Sequence, residues 1–277
     1  MHQTDSTQET RRLVEEARHA GRTICFIPTM GALHEGHCSL FRMAGTGAFR
    51  IVSIFVNPTQ FNSVDDLKKY PRTLDQDLRL CEAEGVDLVF TPTVKEVYPD
   101  GPMIDIPVPA VGLPMEGKFR PGHFAGVCSV VKRLFDIVQP DAACFGEKDF
   151  QQIRVIEEMV KEQRIPVTII RCPTVRDKNG LALSSRNARL SAEGYQKALA
   201  IPRAIQKVKE IVGAGERDVQ RIIENVGVQY IEPLRIDYLV AVNETDLQPV
   251  TTIAPDSRLF IAAWVEEVRL IDNDRLF

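Results

Sequence analysis

The stretch that decides the fold of this chain is Thr23-Ile24-Cys25-Phe26-Ile27-Pro28-Thr29-Met30-Gly31-Ala32-Leu33-His34-Glu35-Gly36-His37. Its first five residues form a short apolar run that predicts a buried strand. The pattern from His37 to Ala44 predicts a helix, and Gly31 and Gly36 allow a tight turn between the two. The stretch therefore predicts a strand that leads directly into a helix, the repeating unit of an α/β domain.

The same alternation of strands and helices continues outward from this stretch. Further strands are predicted at 50–56, 86–90, 141–145 and 167–170, and helices at 75–84, 125–138 and 150–163. Strands that are apolar throughout are typical of a parallel sheet covered on both faces. We therefore predict an α/β fold with a Rossmann-like, doubly wound parallel sheet over residues 1–174.

The pattern changes after about Val175. One long helix is predicted from a cap at Ser191 to about Val212, ended by Gly213-Ala214-Gly215, and another covers 218–226. Three strand-like runs follow at 236–242, 258–265 and 268–271 with little helix between them. Residues 175–277 are therefore predicted to form a smaller C-terminal α+β domain with an antiparallel sheet. The proline-rich stretch from Pro92 to Pro121 is long enough to be a lid.

Composition limits the classes of protein to consider. The net charge is −4 with a pI near 5.8, so no overall basic field favours nucleic acid. The polar N-terminus does not resemble a signal peptide, and no apolar run is long enough to span a membrane. Buried free thiols are the preferred interpretation of the six cysteines, which contain no C-x-x-C pair. A cytoplasmic enzyme fits these features, as do many other proteins.

His34 and His37 are the first candidate functional residues. Ligands of an open parallel sheet bind outside the carboxyl ends of its strands, where this turn lies. A helix N-terminus favours an anion, and two imidazoles beside it suit a triphosphate. The alternatives are histidines that merely cap the turn and a zinc site that includes Cys38. A metalloprotease motif needs histidines at i and i+4, and these two are at i and i+3.

Three other segments could complete a phosphate or substrate site. Gly146-Glu147-Lys148-Asp149 lies between a predicted strand and helix, and Ser184-Ser185-Arg186 lies near the domain boundary. Each, taken alone, is more typical of a solvated turn or cap. Neutral amides at Gln60 and Gln152 suit an uncharged hydroxylated substrate. Gly112–Lys118 matches the start of a P-loop, but Phe119 replaces its Ser or Thr, so we interpret the match as chance or as part of a lid.

Taken together, these segments resemble the pantothenate synthetase (pantoate–β-alanine ligase) family over nearly the whole chain. The His-x-Gly-His turn alone is shared by nucleotidyltransferases and class I tRNA synthetases, and the order of all six segments is far more specific. The segments that carry the resemblance are 28–37, Phe55-Val56-Asn57-Pro58-Thr59-Gln60-Phe61, Tyr70-Pro71-Arg72-Thr73, Gly122-His123-Phe124, 145–149 and Ser184-Ser185-Arg186-Asn187.

The resemblance implies a homodimeric ligase that uses Mg²⁺ and ATP. It would condense pantoate with β-alanine through a pantoyl adenylate, releasing AMP and pyrophosphate, with the C-terminal domain covering the site. By the same resemblance, His37 and His34, with Lys148 and Arg186, are catalytic. The implied nucleotide-binding residues are Met30, Gly31, Ala32, Leu33, His34, Glu35, Gly36, His37, Gly146, Glu147, Lys148, Asp149, Val175, Leu183, Ser184, Ser185 and Arg186.

The resemblance also implies that Gln60 and Gln152 hold pantoate, with Gln60 beside the β-alanine site, and that Asp77 belongs to the Mg²⁺ environment. Leu183 departs from the family, which more often has Met there, but the exchange keeps size and apolarity. The loop Asn62-Ser63-Val64 also departs. Two rival functions stay open: a nucleotidyltransferase acting on a phosphorylated acceptor, and a non-enzymatic nucleotide-binding protein.

Overall fold

A six-stranded parallel sheet organises the first part of the chain, with strand order β1-β4-β3-β2-β5-β6. The structure, a computed structural model, describes residues 1–101, 106–226 and 234–277. The strands of this sheet are β1 (His2–Thr4), β2 (Ile24–Thr29), β3 (Phe49–Ile54), β4 (Leu88–Phe90), β5 (Ala142–Gly146) and β6 (Thr168–Cys172). The prediction of a Rossmann-like parallel sheet is confirmed.

The strand order places the predicted site at the centre of the sheet. Strand β2 pairs with β3 on one side and with β5 on the other. The chain therefore leaves β2 toward one edge and later returns to its other side, which makes the carboxyl end of β2 a topological switch point. The turn that follows β2 is the one that carries His34 and His37.

Helices connect these strands, and the helix Leu74–Ala83 buries its residues Asp77 and Cys81. In the described residues the helices are α1 (Thr7–His19), α2 (Glu35–Met43), α3 (Val64–Lys69), α4 (Leu74–Ala83), α5 (Val94–Val97), α6 (Glu116–Phe119), α7 (His123–Val138), α8 (Phe150–Glu162), α9 (Ala192–Ala198), α10 (Ala200–Gly213) and α11 (Val219–Val226). The lid predicted between Pro92 and Pro121 falls partly on residues 102–105, which lie outside the described ranges.

Strand β1 and helix α1 were not predicted. Strand β1 lies at the edge of the sheet beside β4, and its three residues are polar, so its sequence contains no apolar run. Helix α1 is capped by Ser6, whose side chain accepts a hydrogen bond from Glu9 N, and it buries Leu13, Val14 and Ala17. That helical spacing of apolar residues is present in the sequence and is sufficient to predict the helix.

A second sheet, antiparallel and three-stranded, lies in the C-terminal part. Its strands are β7 (Arg235–Asn243), β8 (Ser257–Val265) and β9 (Val268–Arg275), in the order β7-β8-β9. This confirms the predicted antiparallel sheet. Apolar residues from β8, β9 and α10 form its core, among them Ile261, Leu270 and Val208.

The single long helix predicted after Ser191 is wrong, because the structure has two helices there. Ser191 caps α9 as predicted, and α10 follows after Leu199. Pro202 explains the break, since a proline ring clashes with the carbonyl four residues earlier, here that of Ala198. The end of α10 at Gly213 agrees with the predicted glycine stop.

The chain divides into two compact units. The first contains residues 1–147 and 152–173, and the second contains residues 148–151 and 174–277. The short segment 148–151, which carries Lys148, thus belongs to the second unit. The functional division at residues 174 and 175 stays a prediction.

Two further sequence predictions concern the chain as a whole. All six cysteines are free and buried, as predicted. Among the described residues, no helix combines the length and the apolar character that crossing a membrane requires.

Candidate functional site

The turn after β2 is built around the carboxylate of Asp77 on α4. Its oxygens accept hydrogen bonds from Ala32 N at 2.9 Å and Leu33 N at 2.8 Å. A third bond comes from the Thr73 hydroxyl at 3.1 Å. Asp77 is only 1% exposed, so these donors replace water as partners of its charge. A residue 45 positions away therefore fixes the backbone of the turn.

Two consecutive residues of this turn have left-handed backbones. Gly31 has φ of +78° and Ala32 has φ of +51°. A Cβ on Gly31 would come within 3.0 Å of both Asp77 Oδ2 and Ile54 Cγ2, so glycine is needed there for space as well as for φ. The left-handed Ala32 is strained, and the bond from its amide to Asp77 holds it in place.

His34 and His37 cap the start of α2 reciprocally. His34 Nδ1 accepts from Gly36 N at 3.1 Å, and His37 Nδ1 accepts from His34 N at 3.2 Å. The ring centroids are 4.2 Å apart. A neutral imidazole that accepts at Nδ1 carries its proton on Nε2, so these bonds assign the same tautomer to both rings.

The capping bonds are thus present, and they are compatible with both interpretations, histidines that only cap and histidines that also bind phosphate. Both rings stand at the N-terminus of a nine-residue helix, where the dipole favours an anion. With Nδ1 used for capping, Nε2–H is the donor that each ring can direct at such an anion. A site that positions two donors by backbone bonds is preorganised for developing negative charge.

Gln60 lies beside this turn. It ends a short 3-10 turn, Pro58–Gln60, after β3. Its side-chain Nε2 donates to the sulfur of Met30, and its Oε1 accepts from Asn57 Nδ2 at 3.3 Å. The Asn57 amide also donates to Gly126 O, and its Oδ1 accepts from the Tyr98 hydroxyl at 3.0 Å. The structure therefore brings one predicted substrate residue into contact with one predicted nucleotide residue.

The start of α7 and the residues just before it hold the backbone of Gln60. His123 Nδ1 lies 3.0 Å from the Gln60 carbonyl oxygen, and Arg120 Nη2 donates to the same oxygen at 3.4 Å. Arg120 also pairs with Glu116, whose side chain is buried. Sequence reasoning placed Glu116 and Arg120 only in a chance P-loop match or a lid segment, and it gave His123 no role. The Gly122-His123-Phe124 motif was the signal that could have found one of them.

Lys148 lies in a 3-10 turn, Glu147–Asp149, between β5 and α8. Its ammonium is 3.6 Å from the Asp149 carboxylate, and its side chain is 19% exposed. The lysine charge therefore has a neighbouring carboxylate and some access to solvent. Gly146 is the last residue of β5, one residue beyond the predicted end of the strand at Phe145, and Glu147 begins the turn.

Val175 and Leu183 face each other across a small hairpin of the second unit. Leu183 N donates to Val175 O at 2.9 Å, and Arg176 pairs with Ala182 in an isolated antiparallel bridge. Asp177 closes the hairpin by accepting from Asn179 N and Leu181 N. Two predicted nucleotide residues are thus neighbours through backbone pairing.

Ser184, Ser185 and Arg186 follow this hairpin directly. Ser184 caps a 3-10 turn, Ser185–Arg189, and its hydroxyl accepts from Arg186 N at 3.3 Å. Asn187 Nδ2 donates back to Ala182 O at 3.0 Å. The cap predicted as one alternative is therefore present, and the turn is fastened to the hairpin.

The remaining predicted residues are Gln152 and Asp77. Gln152 is half-buried near the start of α8. Asp77 uses both carboxylate oxygens on the backbone of the turn, and its place in the Mg²⁺ environment stays a prediction. Over residues 1–101, 106–226 and 234–277, no group of three or more His, Cys, Asp or Glu side chains is arranged to hold a metal ion.

Comparison with known proteins gives one consistent result. The pantoate-beta-alanine ligase family profile matches residues 2–275. The pantothenate synthetase of Aquifex aeolicus is 44% identical over 270 residues, covering 96% of this chain and 95% of that protein. The pantothenate synthetase of Trichlorobacter lovleyi is 46% identical over 269 residues, with the same shares of both chains.

Solved structures agree with the sequence matches. The crystal structure of pantothenate synthetase from Thermus thermophilus has a TM-score of 0.92 at 39% identity and full coverage of both chains, 100% each. The pantoate-beta-alanine ligase from Francisella tularensis, complexed with beta-gamma ATP and beta-alanine, has a TM-score of 0.81 at 35% identity, covering 100% of this chain and 98% of that one.

Proposed function

This chain belongs to the pantoate-beta-alanine ligase family, and we propose that it joins pantoate to β-alanine with ATP as the energy source. One observation in the structure carries the proposal beyond family membership. The turn capped by His34 and His37 at the switch point of the sheet touches Gln60 through Met30. A candidate phosphate site and a candidate substrate amide are thus adjacent within one unit.

The proposed reaction has two steps. A carboxylate oxygen of pantoate attacks the α-phosphorus of ATP, the bond to the α–β bridging oxygen breaks, and pyrophosphate leaves. The amine nitrogen of β-alanine then attacks the acyl carbon, the bond to AMP breaks, and the amine loses a proton. The products are pantothenate, AMP and pyrophosphate.

The proposed roles follow from the chemistry of the side chains. The Nε2–H groups of His34 and His37 donate hydrogen bonds to phosphate oxygens, and the bond from His37 strengthens as negative charge builds on the leaving pyrophosphate. Lys148 and Arg186 add fixed positive charge to the phosphates. One preorganised donor aimed at developing charge contributes about 3 kcal/mol to lowering the barrier.

Gln60 and Gln152 are proposed to hold pantoate. An amide can donate to a carboxylate or hydroxyl and accept from a hydroxyl, which suits a hydroxylated acid. The bonds from Asn57 and to Met30 fix the orientation of the Gln60 amide. Holding the attacking carboxylate in line can supply roughly 7–11 kcal/mol of the barrier reduction.

We propose that ATP enters as its Mg²⁺ complex. Mg²⁺ in nucleotide sites is held largely by phosphates and water, with one or two carboxylates. Asp77, whose oxygens also bond the turn, is the candidate carboxylate for the surroundings of the ion, and no direct protein ligand is assigned. A homodimer in the cytoplasm, inferred from the family resemblance, is part of the same proposal.

The test is an omission experiment. The protein is incubated with ATP, Mg²⁺, pantoate and β-alanine, and AMP, pyrophosphate and pantothenate are quantified. All three products are expected in the complete mixture. Without β-alanine, pyrophosphate should appear only in an amount comparable to the enzyme. Without pantoate, no pyrophosphate should form.

Two results would replace the proposal with a rival. A stable dinucleotide-like product from a phosphorylated acceptor would indicate a nucleotidyltransferase. ATP binding with no release of pyrophosphate under any condition would indicate a nucleotide-binding protein without ligase activity.

A further inference from the structure

Two adjacent residues of β9, Asp272 and Asn273, join pieces of the second unit that are far apart in sequence. Both side chains are buried, at 2% and 3% exposure. Neither residue belongs to the sites proposed for ATP or pantoate, and neither was singled out by sequence. The inference drawn from them rests on the proposed function, because its readouts use ATP and the adenylate.

Asn273 holds the backbone of the turn that carries Lys148. Its Nδ2 donates to the Lys148 carbonyl oxygen at 2.9 Å, across 125 positions of sequence. Its Oδ1 accepts from Arg258 Nη1 at 2.6 Å. Because the arginine can only donate, this contact orients the amide so that its NH₂ group faces Lys148.

Arg258 is itself held firmly. It is 3% exposed, and its Nε donates to Glu244 at 2.7 Å. Its guanidinium also lies 3.8 Å from the ring centroid of Phe150, the residue that begins α8. Phe150 in turn packs edge-on against Phe260 of β8. The antiparallel sheet therefore holds the segment 148–151 in two ways, by the hydrogen bond to the Lys148 carbonyl and by packing against the Phe150 ring.

Asp272 holds the neighbouring 175–183 hairpin through Arg176. Its carboxylate pairs with both terminal nitrogens of Arg176, at 2.6 and 3.0 Å. Arg176 also donates to Gly180 O and Asn273 O. Strand β9 therefore holds both the hairpin that carries Val175 and Leu183 and the turn that carries Lys148.

We propose that Asp272 and Asn273 are positioning residues that hold Lys148 and the 175–183 hairpin in one rigid frame, with Asn273 acting through Lys148. The reason is geometric. A lysine side chain is long and flexible, so the position of its ammonium depends on how firmly its backbone is held. A displacement of about 1 Å in such a group can reduce turnover about 10²-fold.

A double-mutant cycle tests this role. Asn273→Ala and Lys148→Ala are made singly and together in the full-length protein. Two readouts are compared: the affinity for ATP by titration calorimetry, and the rate of pyrophosphate release with ATP, Mg²⁺ and pantoate. Asn243→Ala is the matched control. It also removes a side-chain amide from this sheet, but that amide bonds Asp256 and not Lys148.

The expected result is strong non-additivity. Asn273→Ala alone should slow pyrophosphate release about 10- to 100-fold. In the Lys148→Ala background it should change the rate by no more than about two-fold, because its effect passes through the residue already removed. An equal loss in both backgrounds would overturn the proposal. Asn243→Ala should stay within about two-fold of wild type.

The fold must be monitored in the same series. Thermal melting and circular dichroism show whether Asn273→Ala stays folded, and Asn273→Ser replaces it if it does not. If the wild type binds ATP but forms no pantothenate, the ligase proposal fails while the cycle on ATP affinity still decides the role of Asn273. If the wild type binds no ATP, the positioning role fails as well.

Discussion

Asp77 and Asp272 are both buried carboxylates that hold parts of the proposed site, and they differ in what balances their charge. Asp77 accepts from two backbone amides and a hydroxyl. Asp272 pairs with the guanidinium of Arg176. Burial raises the pKa of the Asp272 carboxyl, and the bond to Arg176 lowers this pKa by a smaller amount. The first arrangement fixes a backbone shape, and the second fixes a hairpin through a side chain.

This difference suggests how each region tolerates change. In the histidine turn, the backbone positions both the amides and the capping rings, so a small change in φ alters every donor at once. In the second unit, Lys148 and Arg176 reach their places through side-chain bonds that can be removed singly. The following predictions test this contrast, in order of decreasing effect.

The largest expected effect comes from removing the proposed phosphate donors. His37→Ala and Lys148→Ala should each reduce turnover about 10²- to 10³-fold, because each removes a donor aimed at developing charge. Steady-state assays with ATP, pantoate and β-alanine measure this. The exposed His19→Ala and Lys161→Ala are matched controls that should retain activity. Near-normal adenylate formation by either active-site variant would remove that residue from the mechanism.

Asp77→Ala should lower stability in addition to activity. It leaves the amides of Ala32 and Leu33 without their acceptor in a buried place, at a cost of roughly 2–3 kcal/mol in the free energy of unfolding. Urea denaturation measures the change. Asp75→Ala, on the exposed side of the same helix, serves as the control. A loss of activity with unchanged stability would instead favour a direct role for Asp77, such as the Mg²⁺ contact first predicted.

Gly31→Ala separates crowding from backbone strain in the histidine turn. Gly21 has nearly the same φ, +75°, but a Cβ added there would have no atom within 4 Å, so Gly21→Ala reports the strain alone. We expect Gly31→Ala to cost roughly 1–2 kcal/mol more than Gly21→Ala, because its methyl group meets Asp77 and Ile54. Thermal or urea unfolding of the pair gives the difference. Equal costs would mean that the turn relaxes without penalty.

The smallest expected effect is a pH dependence in the second unit. Burial raises the pKa of the Glu244 carboxyl, but hydrogen bonds from Arg275 and Arg258 outweigh it and leave this pKa below its usual value. A lowered folded pKa stabilises the fold above the unfolded value of about 4.3, and this stabilisation is lost as pH falls through the folded value.

Glu244→Gln should therefore lower the melting temperature near neutral pH. The gap to wild type should shrink as the pH falls below about 4.3, the pKa of the unfolded carboxyl, and then through the lowered pKa of the folded one. Melting curves at several pH values measure this. The matched control is the exposed Glu224→Gln. A gap that does not change with pH would show that the charge of Glu244 contributes nothing.

Much of the fold followed from local patterns. Apolar runs of four to eight residues, glycine stops and the capping Ser191 identified most strands and helices, because a buried element needs apolar residues along its own sequence. The missed strand β1 and the break at Leu199 show the limit. A three-residue polar edge strand has no apolar signal, and the effect of Pro202 was overlooked although its position was visible.

The sequence by itself determined which residue types stand together: two histidines three apart at a helix start, amides after a strand, and a lysine between strand and helix. Only the tertiary structure decided that Asp77 holds the histidine turn and that Asn273 holds Lys148, across 45 and 125 positions. The physical reason is that helical and strand periodicity act over a few residues. The partner of a buried polar group is chosen by packing, which brings together residues that no local pattern connects.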